Sequence, residues 1–154
     1  MASLQNLISK IWRKLPARMR RWTMRVAHPR FTVTAGAVVF NQNGEVLLLK
    51  HRFRPGSGWG LPGGFIEKAE QPIDALRREL REEIGLEVQD VEIFAVRSFA
   101  KPQQVEVLFR CRSNGTLKPQ TIEVERADWF SIANLPDGLP RDQRLFIERA
   151  AKTE

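Results

Sequence analysis

Three carboxylates with helical spacing define the chemistry open to this chain. Glu79, Glu82 and Glu83 stand at i, i+3 and i+4. In an α-helix that spacing brings all three side chains to one face. Like charges so placed repel by roughly a few tenths of a kcal/mol per exposed pair, and by more when desolvated. A divalent cation would relieve that repulsion. Donors that are all oxygen suit Mg²⁺, Mn²⁺ or Ca²⁺ better than zinc, and Mg²⁺ is commonly held by a few carboxylates together with substrate phosphates. The competing reading is a solvated acidic face neutralised by its neighbours Arg77, Arg78 and Arg81.

The surrounding sequence favours the metal. From Gly64 to Leu86 it reads GFIEKAEQPIDALRRELREEIGL. Glu70 follows Gly64 after five residues and Arg78-Glu79 follow after seven more. Leu80, Glu82-Glu83, Gly85 and Leu86 then complete the pattern G-x5-E-x7-R-E-U-x-E-E-x-G-U, with U aliphatic. A match at every fixed position has a chance probability on the order of 10⁻⁹ at a given start. On this motif the sequence is identified as a member of the Nudix hydrolase family. Trp59-Gly60-Leu61-Pro62-Gly63-Gly64 and Asp128-Trp129-Phe130 extend the resemblance, which runs from about Thr32 to the C-terminus.

The resemblance implies an α/β fold: an α/β/α sandwich with a mixed sheet and a loop–helix–loop motif. It implies Mg²⁺, with Mn²⁺ as a substitute, bound by Glu79, Glu82, Glu83 and the Gly63 carbonyl. Arg78 would hold the glutamates by charge-assisted contacts, and Glu70 would support the loop or the helix start. The implied reaction is cleavage of a diphosphate linkage by an activated water, with a carboxylate accepting the proton. Glu82 and Glu79 are the local candidates for that base. Glu123, six residues before Trp129, stands where a later loop supplies it in some members, with Glu106 and Glu125 as rivals. Arg52 and Arg54 are expected to contact phosphates and Phe53 to stack on a base. Pro102, sixteen residues past Leu86, partly matches a submotif of ADP-ribose-cleaving members, though Gln103-Gln104 replace its usual glycine. ADP-ribose or a nucleoside diphosphate sugar is therefore the leading substrate. The alternatives are a lipid-linked or prenyl diphosphate, or a non-catalytic binding module, in which box carboxylates are typically lost. All are present here. Isomerase chemistry on the same fold needs a placed Cys, and Cys111 lies late, on an expected strand.

The elements that must position these residues are legible in outline. Phe31–Phe40 and Glu45–Lys50 read as strands joined by the turn Asn41-Gln42-Asn43-Gly44. His51–Gly60 reads as a loop. The motif helix is framed by Pro72 near its first turn and Gly85 past its end, with Ile73, Leu76, Leu80 and Ile84 as its buried face. Leu86–Ser98, Val105–Arg112 and Ala127–Phe130 read as strands, and Arg141–Ala151 as a closing helix with Leu145 and Ile147 among its apolar residues.

Charge divides the 154 residues in two. Residues 1–30 hold eight Lys or Arg and no Asp or Glu, while the remainder holds seventeen against eighteen. The near-neutral body gives no sign of nucleic-acid binding, and its expected partner is a small diphosphate substrate. Ser3–Arg25 reads as an amphipathic helix with Leu4, Leu7, Ile8, Ile11 and Leu15 on one stripe, broken or restarted at Pro16. Packing on the body, homodimerisation, peripheral membrane contact and organelle targeting are all open to it. Lys10, Arg13, Lys14 and Arg18 interrupt any secretory apolar core. The two expected units are 1–30 and 31–154, and the expected location is cytoplasmic. One cysteine and two histidines argue against a disulfide framework, a zinc site or a His-based triad.

Overall fold

A computed structural model describes residues 6, 9–10 and 12–152. The chain divides into two compact units, Met1–Phe31 and Thr32–Glu154. Leu4, Leu7, Ile8 and Ile11 of the expected stripe lie outside the described residues. In the first unit, helix α1 (Ala17–Ala27) follows directly on Pro16. The Pro16 carbonyl accepts hydrogen bonds from the Met19 and Arg20 amides at 2.9 and 3.1 Å. Proline lacks an amide hydrogen, which costs nothing at a helix start.

The second unit is built on a seven-stranded mixed sheet. Strand β1 (Thr32–Phe40) runs parallel to β6 (Gln104–Arg112) over its whole length, from Thr32↔Gln104 to Phe40↔Arg112. β6 in turn pairs antiparallel with β5 (Gln89–Phe99). On its other side β1 changes partner. It meets β2 (Val46–His51) at Phe40↔Val46, and short β4 (Gly63–Phe65) from Thr34↔Phe65 to Gly36↔Gly63. β2 pairs with β7 (Val124–Phe130) and with β3 (Trp59–Gly60).

Side-chain alternation on the central strands creates two cores. Ala35, Ala37 and Val39 of β1 and Leu47 and Leu49 of β2 pack with Leu76, Leu80 and Ile84 of helix α2 (Pro72–Ile84). Val38, Phe40, Val46 and Leu48 face the other way, in the cluster that holds Ile147 and Ala150 of helix α3 (Arg141–Ala151). Both faces of the central strands are apolar because a helix covers each. Each fully buried Leu in these clusters contributes roughly 2–3 kcal/mol. The result is the expected α/β/α sandwich.

Several boundaries differ from the sequence reading. The loop read over His51–Gly60 begins on the last residue of β2 and ends in β3, and β4 lies in the lead-in to the helix; both strands are too short to show any periodicity. β7 begins at Val124 rather than Ala127, and β5 at Gln89 rather than Leu86. Leu86 and Val88 are buried in the first core without joining a ladder. Of the apolar residues of α3, Ile147 and Ala150 are buried and Leu145 is 51% exposed. The α2 frame matches expectation. Gly85 adopts φ 66°, and its amide donates to Arg81 O at 2.9 Å to close the last turn.

Candidate active site

Arg78 is the hub of the α2 face. Its Nε donates to Glu70 Oε1 at 2.9 Å and its Nη2 to Glu70 Oε2 at 3.1 Å. Nη1 donates to Glu79 at 2.9 Å and to Glu82 at 3.3 Å, and Nη2 also reaches the Phe65 carbonyl at 3.0 Å. Only a planar guanidinium can serve so many acceptors at once. These bonds, Glu70's foremost, push the Arg78 pKa up. The same pair holds Glu70 below the ordinary carboxylate range, helped by the Glu67 amide, which donates to Glu70 Oε2 at 2.9 Å. Glu70 thus ties the loop before α2 to the helix, and Arg78 carries that tie to Glu79 and Glu82.

The backbone opposite is glycine because nothing larger fits. A Cβ on Gly63, at φ 146°, would run into Ala35 O and Gly36 Cα of β1. A Cβ on Gly64 would fall on the Glu79 carboxylate. Gly64→Ala is therefore expected to displace Glu79 from Arg78. It should cost about 1–3 kcal/mol by overpacking and lower metal-dependent turnover by about tenfold or more. Thermal denaturation beside a turnover assay checks this. Unchanged turnover would remove Glu79 from the machinery.

Glu83 differs from its neighbours. It is buried, and burial, then Glu79, raise its pKa to about 7; Arg54 opposes the shift, while Glu123 and Glu82 add to it. Its Oε2 is buried and has no hydrogen-bond partner. A buried unpaired carboxylate oxygen is costly, and a bound cation would remove that cost. Among the described residues, no three His, Cys, Asp or Glu side chains converge as a finished metal cage. Glu79 leans on Arg78, and Glu82 is 56% exposed. A partly open set of oxygens suits Mg²⁺, which keeps several waters and takes phosphate oxygens as further ligands.

The expected substrate contacts separate. Arg54 is partly buried, packs over Gly60 and has one guanidinium nitrogen, Nη1, buried without a partner. Burial lowers its pKa, against the pull of Glu83 and Glu106. It lines a cavity of about 180 Å³ together with Gly63, Gly64, Arg97, Glu106 and Gln143. Arg52 and Phe53 are exposed, Phe53 at 72%, and neither is in that lining. Glu123 is exposed; its backbone carbonyl accepts the Arg52 amide at 2.8 Å, and its charge acts on Glu83. Of its rivals, Glu125 pairs with Lys50 at 3.0 Å and Glu106 with Arg97 at 2.5 Å. His51 is held to about 4 by burial and then by Arg54, so it is neutral near pH 7. Burial pushes the Cys111 thiol up to about 12, which leaves it inert.

The cavity wall contains residues that sequence reasoning missed. Arg97 is clamped by Glu106 and by Asp142, each at 2.5 Å. Gln143 accepts the Leu61 amide at 2.8 Å. Gln104 donates to Thr34 Oγ1 at 2.8 Å. None lies in a local motif. Each pairing depends on strands and a helix distant in sequence, and only the parallel β1–β6 ladder could have flagged Gln104.

The chain is similar to known proteins over most of its length. Residues 30–150 match the model of the NUDIX domain. The chain is 31% identical over 114 residues to the NAD-capped RNA hydrolase NudC of Vibrio atlanticus, covering 73% of this chain and 42% of that protein. It is 32% identical over 126 residues to an RNA pyrophosphohydrolase of Halorhodospira halophila, covering 80% and 62%. It thus spans less than half the length of that NudC relative. Among solved structures, a NUDIX hydrolase from Nitrosomonas europaea superposes with a TM-score of 0.71 at 29% identity, covering 81% of this chain and 73% of the other. The MutT NUDIX hydrolase from Burkholderia pseudomallei gives 0.69 at 27%, covering 78% and 98%. The chain belongs to the NUDIX family, whose hydrolases act on phosphoric anhydride bonds.

Proposed function

We propose that this chain hydrolyses the diphosphate linkage of a nucleoside diphosphate derivative, with ADP-ribose or a nucleotide sugar as the leading substrate. One observation carries the reading. Glu83 Oε2 and Arg54 Nη1 are both buried without partners, and the Arg54 cavity is lined by Gly63 and Gly64 of the motif. The two charges attract each other, but the Glu83 oxygen lacks a donor or metal and the Arg54 nitrogen lacks an acceptor. A metal-bound diphosphate answers both.

Glu79, Glu82, Glu83 and the Gly63 carbonyl are the proposed ligands of Mg²⁺, with Mn²⁺ as its substitute. When bound, the metal neutralises the diphosphate and makes a water acidic enough to attack at neutral pH. Arg78 fixes Glu79 and keeps the carboxylates from splaying. Arg54 binds a phosphate oxygen through its spare nitrogen. Glu82, solvated and held by Arg78 at the long distance of 3.3 Å, takes the proton, with Glu123 the second candidate. Pro102, in the turn between β5 and β6, supports the ADP-ribose reading by its place in the sequence alone.

A substrate panel with Mg²⁺ tests this: ADP-ribose, NAD, a nucleotide sugar, nucleoside triphosphates, a CDP-alcohol, a prenyl diphosphate and 5′-triphosphorylated RNA. Preferred turnover of a diphosphate substituted on both sides supports the proposal. Preference for triphosphates or RNA ends overturns the substrate, and a folded protein that turns over nothing points to a binding module. On the preferred compound, Arg54→Gln is expected to raise KM about tenfold or more, the worth of one hydrogen bond to a charged group. An unchanged KM removes Arg54 from the phosphate site.

A further inference from the structure

Helix α1 carries large apolar side chains that are exposed among the described residues. Met19, Trp22 and Val26 stand at i, i+3 and i+7, on one side of the helix, and are 52%, 65% and 68% exposed. Arg18 and Arg21 are exposed too: Arg21 falls on the other side, and Arg18, four residues before Trp22, borders the stripe. The charge is one-sided throughout: residues 1–30 carry eight Lys or Arg and no acidic residue. We propose that α1 lies on an anionic lipid surface, with Met19, Trp22 and Val26 in the acyl boundary and the arginines at the headgroups.

Charge and shape select this occupant. A second copy of the segment would bring eight cations against eight cations, with no acidic group on either to pair them. A nucleic-acid backbone would satisfy the arginines and leave Met19 and Val26 in water. An anionic membrane takes both halves: it attracts the basic residues within a Debye length and buries the apolar stripe. Tryptophan is favoured at that interface because its ring is apolar and its N–H is polar. At eleven residues α1 is about 16 Å long, against roughly 30 Å of bilayer hydrocarbon. Among the described residues, no helix is long and apolar enough to cross a membrane. The helix therefore rests in the interface plane. This inference is independent of the reaction proposed above.

The test is flotation of the full chain with two kinds of vesicle, pure phosphatidylcholine and a mixture containing about one-third phosphatidylglycerol. Wild type should float with the mixed vesicles and remain unbound with the neutral ones. The pair Trp22→Ser with Val26→Asp should weaken binding about tenfold or more through lost apolar burial. The pair Arg18→Glu with Arg21→Glu should weaken it at least as much. Both variants should keep the thermal midpoint of the second unit. A labelled single-stranded RNA, run in parallel, should bind more weakly than the vesicles and should not respond to Trp22→Ser with Val26→Asp. Three results overturn the proposal: equal flotation with neutral vesicles, tighter binding to RNA than to mixed vesicles, or sedimentation showing that Trp22→Ser with Val26→Asp breaks a dimer.

Discussion

Replacing Glu83 by Gln should lower Mg²⁺-dependent hydrolysis by about 10²–10³-fold and, in the same protein, raise the stability of the metal-free fold above neutral pH. The two effects share one cause. Glu83 is buried with an unpaired oxygen, and burial, then Glu79, set its folded pKa at about 7 against an ordinary 4.5. Between those values the folded protein holds a proton that the unfolded chain has released. Stability therefore falls as pH rises through this window, and above about 7 the full cost is present. The difference between the two values corresponds to about 3–4 kcal/mol. Gln keeps the shape and removes the slope. Thermal melts at low and high pH, with and without Mg²⁺, check this. Without metal, Glu83→Gln should melt above wild type on the alkaline side and level with it below the ordinary carboxylate range. Saturating Mg²⁺ should raise the wild-type midpoint more than the variant's, since only the carboxylate gains a partner. For the same reason the wild-type affinity for Mg²⁺ should weaken as pH falls below about 7. A variant that is less stable than wild type at alkaline pH without metal would show that the Glu83 charge is held by something other than a metal.

The box was legible because it is local. The positions of Glu79, Glu82 and Glu83 follow from helical spacing, and the frame of α2 follows from Pro72 and Gly85. The differences among the three glutamates were not legible. That Glu83 is buried while Glu82 is 56% exposed depends on the sheet beneath α2, which spacing does not describe. Arg52, Phe53 and Arg54 look alike as loop residues, yet only Arg54 reaches the cavity, because Gly60 of β3 leaves room for its guanidinium. β3 itself is two residues long and is held by Leu49 and Lys50 of β2, so no window of sequence could reveal it. The far wall of the cavity is more remote still. Arg97 and Glu106 of that wall come from β5 and β6 and Gln143 from α3, and their meeting is a property of strand order and helix packing. The strands β1 and β2 were legible, but their division between two cores was not: residues of both faces are apolar, and only the helices that cover them show which core each side chain enters.

Arg78 tests whether geometry or charge organises the site. Arg78→Ala removes the bidentate contact to Glu70, the bonds to Glu79 and Glu82, and the tie to Phe65 O. Three carboxylates then face one another without their counter-charge. The expected loss is about 2 kcal/mol of stability, discounted from the value for a fully buried pair because Arg78 is 22% exposed. Turnover should fall by about a hundredfold, as the carboxylates splay and the loop before α2 loosens. Arg78→Lys separates the two causes. A lysine restores the charge but cannot span Glu70, Glu79 and Phe65 O from one plane. It should recover most of the stability and little of the turnover, with a raised Mg²⁺ half-saturation. Glu70 supplies an independent reading. Its pKa is depressed chiefly by the Arg78 hydrogen bonds, so its contribution is present above the ordinary carboxylate range and is lost as pH falls through the depressed value. Arg78→Ala should therefore unfold at a higher pH than wild type on acidification. Full rescue of turnover by Arg78→Lys would mean that a point charge suffices, and the fork on α2 would then serve stability alone.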